Sequence, residues 1–286
     1  MPHVSVHGFE AHFRDEGHGT PLVLGHSSTA SSGQWRALVK RMSGEYRLMA
    51  PDHVGYGQTP AYPGVIPLAE LEVAIIEALL RLTAEPVHLI GHSYGGMVLA
   101  RAAIRLPDQV RSLTLIEPTL FYLLAAFGLE GEHAEIAAVA DRVARQVEAG
   151  DADAAGRGFI EYWVGPGGYD AMDPKLREAV RAGMPKVSIE FPTGFVPNGA
   201  EPDALKALRM PIQLIGGART TAAARGIMTV LRRLFPNAVY REIAGGGHMC
   251  PVTHADAVNE LIVEFVDRTT GRGRSDRTRL LANDGE

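Results

Sequence analysis

The stretch Val87-His88-Leu89-Ile90-Gly91-His92-Ser93-Tyr94-Gly95-Gly96-Met97 decides how this chain folds. Val87–Ile90 is a short apolar run behind the breaker Pro86, the pattern of a buried strand. From Met97 the spacing turns helical and stops at Pro107. Between strand and helix stands a serine between glycines, Gly91-His92-Ser93-Tyr94-Gly95. A serine nucleophile needs such a place: a sharp strand-to-helix turn with a strained backbone and neighbours that carry no side chain. The helix N-terminus then aims backbone N–H groups at developing negative charge, and Tyr94 N–H is the first such donor.

Outward from this turn the same rhythm repeats. Val4 and Val6, a turn at His7-Gly8 and the run 11–15 read as a β-hairpin closed by Gly17 and Gly19. Pro21–Gly25 and Arg47–Ala50 are further strand candidates, and Leu71, Ile75, Leu79 and Leu82 mark a helix over 68–82. Leu113–Ile116 is a strand closed by Pro118. Strands alternating with helices predict a largely parallel sheet covered on both faces, and near-continuous apolar strands agree. The rhythm breaks at Thr119. Residues 134–148 have amphipathic helical spacing, Gly165–Tyr169 is a turn cluster, and 191–202 is rich in Pro and Gly and reads as irregular. Strand and helix resume with 212–215, 222–234, 239–243 and 255–266. The expected organisation is therefore a core in two parts, 1–118 and 206–268, an inserted cap over 119–205, and a polar tail over 269–286 without stable structure.

Composition narrows the function. Of 286 residues, 46% are hydrophobic and 21% charged, the balance of a globular chain, and the net charge of −5 offers no field for nucleic acid or an anionic membrane. The basic stretch Arg272, Arg274, Arg277 and Arg279 reads as a solvated tail. No segment reaches the roughly 18 to 20 apolar residues of a membrane span, and the first residues lack the apolar core of a signal peptide. A single cysteine, Cys250, allows no intrachain disulfide and suits a reducing compartment. The expectation is a cytoplasmic protein acting on a small molecule, with no metal and no cofactor.

With the serine turn in place, the sequence resembles the α/β-hydrolase superfamily over nearly everything outside the insertion and the tail. Three more segments carry the resemblance. Leu22-Val23-Leu24-Gly25-His26-Ser27-Ser28, followed by Trp35, is similar to the His-Gly loop that supplies a second oxyanion donor. Pro51-Asp52-His53-Val54-Gly55-Tyr56-Gly57 is similar to the family's PD-x-x-G-x-G turn, and Gly246-Gly247-His248-Met249 to its histidine loop. The resemblance implies a mostly parallel eight-stranded sheet, helices on both faces and a helical cap after the sixth strand. It also implies Ser93 as nucleophile, His248 as general base and acid, and an oxyanion hole made by the N–H groups of Tyr94 and Ser28. Haloalkane dehalogenases and epoxide hydrolases of this superfamily need an aspartate where Ser93 stands. One departure is Ser27 in place of the usual glycine, which predicts a differently shaped oxyanion loop if that position needs a positive φ.

The acid is displaced. Its usual place, the loop after strand 212–215, reads Gly216-Gly217-Ala218-Arg219-Thr220-Thr221, and no Asp or Glu occurs between Asp203 and Glu242. Some superfamily members carry the acid after the strand that follows the nucleophile helix, and Glu117 occupies that position here. A carboxylate there would fix the His248 tautomer and stabilise the imidazolium. His26 and His92 are expected to hold loops, and Asp52 to be structural. Phe121, Tyr122, Trp163 and Met249 are the candidates for lining the substrate pocket. The expected reaction is hydrolysis of a carboxylic ester or lactone through an acyl-enzyme. The alternative readings are an acyltransferase or cofactor-free peroxidase on the same residues, and a non-catalytic ligand-binding protein that kept the fold.

Overall fold

A computed structural model of the protein describes residues 2–272. Its strands are β1 His3–Val6, β2 Phe9–Gly17, β3 Thr20–Gly25, β4 Tyr46–Pro51, β5 Val87–His92, β6 Val110–Ile116, β7 Ile212–Gly217 and β8 Val239–Ile243. They form one eight-stranded sheet in the order β1-β2-β4-β3-β5-β6-β7-β8. β2 pairs antiparallel with β1 and β4, and every other neighbouring pair is parallel. The expected mostly parallel eight-stranded sheet is therefore present.

Eleven helices accompany the sheet among the described residues: α1 Arg36–Met42, α2 Leu68–Leu80, α3 Tyr94–Arg105, α4 Tyr122–Ala126, α5 Glu130–Glu148, α6 Ala152–Val164, α7 Pro174–Gly194, α8 Pro202–Lys206, α9 Ala222–Leu234, α10 Cys250–Thr253 and α11 Ala255–Thr270. Side-chain alternation along the strands assigns the faces. Val23, Met49, Leu89 and Leu214 pack in one core with α2, α3 and α9. Leu22, Leu24, Leu48, Ile90 and Ile215 point the other way, into a second core with α1 and α11. Burial on both faces explains why these strands read as unbroken apolar runs. α4–α8 all lie between β6 and β7 in the chain, and α5, α6 and α7 pack on one another.

Two boundaries differ from the sequence reading. Residues 191–194 are not irregular, because α7 continues through Pro185 and Pro192 to Gly194. Besides the cap bond from Phe195 N–H to Pro192 O at 3.2 Å, its end is held from outside. Arg101, buried on α3, donates to the carbonyls of Thr193 at 2.7 Å, Val196 at 2.9 Å and Pro197 at 3.3 Å. A cation there also complements the helix dipole. Residues 269–270 likewise do not begin an unstructured tail, since α11 runs on to Thr270, whose Oγ1 bonds the Val266 carbonyl at 2.7 Å. Arg272 pairs with Glu45 at 2.8 Å. The rest of the expected tail, with Arg274, Arg277 and Arg279, lies outside the described residues.

The parallel strands bring their C-terminal ends to one edge, where loops converge. At the end of β5 the chain turns into α3 through Ser93, held at φ 55° and ψ −119°. Helix α3 begins at Tyr94, earlier than its apolar spacing announces, because the turn occupies a single residue. The tightness has a measurable cause. A Cβ on Gly91 would sit 2.6 Å from Gly96 Cα, and one on Gly95 would sit 2.4 Å from the Gly25 carbonyl carbon. The Gly95 N–H donates to His26 O at 3.0 Å, and the Ser93 N–H donates to Ile116 O at 2.9 Å. The turn is thereby clamped between the loop after β3 and the end of β6.

Two buried polar groups brace the frame. His88 on β5 bonds Ser112 Oγ at 2.7 Å and Thr270 Oγ1 at 3.0 Å. Burial first, and then the charge of Arg111, holds its imidazole down at about 3. Asp52 accepts from Ser32 N–H at 2.6 Å, Gln58 N–H at 3.0 Å and His12 Nδ1 at 2.9 Å. Burial pushes its carboxyl up, but these donors outweigh burial and leave it below its usual value. Asp52 is thus a structural residue, as its place in the turn implied.

Two outcomes are expected. Gly95→Ala should destabilise the protein by about 1–3 kcal/mol or more in urea unfolding, because the added methyl meets backbone. Gly44→Ala, with nothing within 4 Å of the added carbon, should stay within about 0.5 kcal/mol. Equal effects would contradict the clamp. Second, the His88 pKa is depressed in the fold, so the unfolded chain takes up a proton that the fold does not as pH drops below about 6.5. Asp52 adds a loss in the same direction further into acid. The urea midpoint should therefore fall between about pH 7 and about pH 5; a flat profile would contradict the buried neutral imidazole.

Candidate active site

Three loops bring Ser93, His248 and Glu117 together. His248 lies in the loop after β8, Glu117 directly follows β6, and Ser93 directly follows β5. Ser93 Oγ–H donates to His248 Nε2 at 3.0 Å, and His248 Nδ1–H donates to Glu117 Oε2 at 2.8 Å. All three are buried, with Glu117 at 1% and His248 at 2% exposure, so these bonds do not compete with bulk water. Like Ser93, Glu117 occupies the left-handed region, at φ 43°. Strain of this kind persists where the surroundings over-determine the backbone.

The loop that lacks an acid supplies donors instead. Gly217 N–H donates to Glu117 Oε1 at 2.7 Å, and Thr220 Oγ–H donates to Oε2 at 2.6 Å. Both carboxylate oxygens are thus engaged, and the bond to His248 is fixed in direction. The same loop holds the histidine loop, through Arg219 N–H to Gly246 O at 2.7 Å and Ala218 N–H to Ile243 O at 3.1 Å. Gly217 and Thr220 were not singled out from sequence. Their signal is the hydroxyl and glycine left in the loop whose acid is missing.

A second chain of bonds ties the histidine loop to the loop after β3. His92 Nε2–H donates to His248 O at 2.9 Å, and its Nδ1 accepts from Gln34 Nε2 at 3.2 Å. Gln34 Oε1 accepts from Ser27 N–H at 3.1 Å and Ser27 Oγ at 2.9 Å. Burial first, and then the neighbouring His248, holds the His92 imidazole well below the usual histidine range, which agrees with its acceptor nitrogen. His26 is also held neutral, at about 3, by burial and then by His53. It donates from Nδ1 to Ser27 O at 2.7 Å and accepts from His53 N–H at 3.0 Å. Both histidines hold loops, as expected. The feared strain at Ser27 does not arise, because the positive φ of this loop falls on Thr29, at 60°.

Tyr94 is the first residue of α3, where an N–H has no carbonyl one turn earlier to bond. Ser28 lies beside Ser93 in the walls of two adjoining cavities. The outer one, about 290 Å³, is lined by Ser93, His248, Met249, Trp163, Met172 and Val180, among others. The inner one, about 20 Å³, is lined by Ser93, Tyr94, Phe121, Phe159, Glu190 and Phe191, among others. Trp163 borders both and stacks on His248, with ring centroids 3.9 Å apart and planes at 26°. Phe121 thus lines the inner cavity, Met249 the outer one and Trp163 both. Tyr122 does not line either cavity; its hydroxyl bonds the Ala200 carbonyl and ties α4 to the segment after α7. Helical spacing alone does not tell these two neighbouring aromatics apart. Among the described residues no cluster of three or more His, Cys, Asp or Glu could hold a metal ion, and no helix is long and apolar enough to cross a membrane.

Comparison with known proteins agrees with this architecture. Residues 20–255 match a family model described as alpha/beta hydrolase fold. A 2-hydroxy-6-oxo-2,4-heptadienoate hydrolase of Pseudomonas putida is 36% identical over 113 residues, 38% of this chain and 41% of that one. A haloalkane dehalogenase of Agrobacterium fabrum is 33% identical over 118 residues, 41% of this chain and 38% of that one. Each match spans well under half of the relative's length. The crystal structure of an enol-lactonase from Burkholderia xenovorans superposes with a TM-score of 0.73 at 19% identity, covering 93% of this chain and 99% of that one. At that identity the likeness is one of fold. The family match, the strand order and the serine turn at the end of β5 agree, and the chain belongs to the α/β-hydrolase family.

Proposed function

We propose that the protein is a serine hydrolase that cleaves a carboxylic ester or lactone through an acyl-enzyme on Ser93. The observation that carries this reading is the buried relay from Ser93 Oγ to His248 Nε2 at 3.0 Å and from His248 Nδ1 to Glu117 Oε2 at 2.8 Å, set in the wall of a cavity. His248 takes the Ser93 proton as the oxygen attacks the acyl carbonyl. The N–H groups of Tyr94 and Ser28 receive the oxyanion, and the α3 N-terminus adds its dipole. Glu117 stabilises the imidazolium so formed, and the face of Trp163 adds a cation–π contribution. His248 then protonates the leaving oxygen and activates water against the acyl-enzyme.

The two cavities divide the substrate. The leaving oxygen has to meet His248 Nε2, and His248 lines the outer cavity and not the inner one. The alcohol part therefore lies outward and the acyl part inward. The similarity to a dienoate hydrolase supports a carbonyl substrate, and a serine at the turn argues against dehalogenation, which needs a carboxylate nucleophile. Residues 119–205 act as the cap in this reading, because α6 and α7 supply Phe159, Trp163 and Glu190 to the cavities. The single buried cysteine suits a cytoplasmic enzyme. The chemistry assigned to the chain's own residues calls on no cofactor.

Glu117→Gln should lower kcat by at least ~10²-fold on phenyl acetate while leaving KM within a few-fold, because the amide no longer fixes the imidazole or stabilises its charge. Steady-state kinetics on the folded variant check this; turnover near that of the wild type would remove Glu117 from the mechanism.

A further inference from the structure

Glu190 stands out among the buried ionisable groups because one of its oxygens has a full set of partners and the other has none. It lies on α7 at 3% exposure. Its Oε2 accepts from Lys186 Nζ at 2.8 Å and from Tyr56 OH at 3.0 Å. Its Oε1 is buried without a hydrogen-bond partner, while Glu190 itself lines the inner cavity together with Ser93. An open carboxylate oxygen out of water is unfavourable unless something donates to it.

We infer that the inner cavity is an acyl subsite for a short chain ending in a hydroxyl group, with Glu190 Oε1 as the acceptor. The inference rests on the serine-hydrolase reading above and adds the substrate class. Size is the first argument. The cavity offers about 20 Å³ for the centre of a water-sized group, and one water needs roughly 10–15 Å³ on that measure. One hydroxyl fills it. Its surroundings are the second argument: Phe121, Phe159, Trp163 and Phe191 form apolar walls between Ser93 and Glu190, against which an acyl methylene packs.

Charge is the third argument. Lys186 does not line the cavity; its ammonium lies over the rings of Tyr56 and Tyr94, at 4.9 and 4.5 Å, and reaches Glu72 Oε1 at 3.5 Å. The cavity is therefore lined by the residue that carries the carboxylate and not by the one that carries the cation, which disfavours an acyl chain ending in a carboxylate. An ammonium would have to be desolvated against a carboxylate already balanced by Lys186. A neutral hydroxyl avoids that penalty and needs one acceptor.

The test compares isosteric phenyl esters on the wild-type protein: hydroxyacetate against propanoate, and β-hydroxypropanoate against butanoate, with β-aminopropanoate as the cationic counterpart and phenyl acetate as reference. At one of the two lengths the hydroxyl ester should exceed its methyl isostere in kcat/KM by at least ~10²-fold, as expected when a built acceptor is left unpaired by the analogue. In the double variant Lys186→Met/Glu190→Met, which removes both charges together, that ratio should collapse to within about threefold. Hydrolysis of phenyl acetate with no hydroxyl preference at either length would overturn the subsite while leaving the hydrolase reading standing. A preference for the ammonium ester would overturn the hydroxyl assignment. No turnover of any ester would overturn the hydrolase reading and this inference with it.

Discussion

The site depends on how closely the chain can pack where β5 meets α3. Ser93 takes a left-handed conformation that a serine adopts only under constraint, and the constraint comes from backbone on two sides. Gly25 and His26 press against Gly95, and the end of β6 bonds the Ser93 N–H. The same contact that fixes the serine fixes the loop after β3 and therefore Ser28. Ser93 and its neighbouring N–H groups are thus positioned by main-chain contacts, which do not relax through side-chain rotamers.

Around this point the side chains form a nearly closed circuit. Glu117 binds the end of β7 through one oxygen and the loop after it through the other, that loop binds the histidine loop, and His248 returns to Ser93. The other arm passes from the His248 carbonyl through His92 and Gln34 to Ser27. Because burial keeps His92 and His26 neutral, each serves as a donor at one nitrogen and an acceptor at the other, a role a charged imidazole could not fill. Moving the carboxylate from the β7 loop to the end of β6 leaves that loop with a structural role, in which it supplies N–H and hydroxyl donors to the carboxylate.

The sheet was largely legible in the sequence because parallel strands covered on both faces are unbroken apolar runs, and Val87–Ile90, Leu113–Ile116 and 212–215 are of that kind. The serine turn was legible because its glycines answer to a steric need. The end of α7 was not, since two prolines argue locally against a helix whose terminus is held by Arg101 from a distant helix. Glu190, Lys186 and Glu72 gave no signal either: scattered charges look like solvated surface until the fold buries them together. Tyr122 was misplaced because an aromatic at helical spacing has the same text whether it faces a cavity or a neighbouring carbonyl.

The central claim is that Ser93 is an activated nucleophile, and reaction with a fluorophosphonate probe tests it most directly. The expected result is one label per chain, found on the peptide holding Ser93, absent in Ser93→Ala and strongly slowed in His248→Ala. Well-folded wild-type protein that takes no label, or carries it on another residue, would contradict the account.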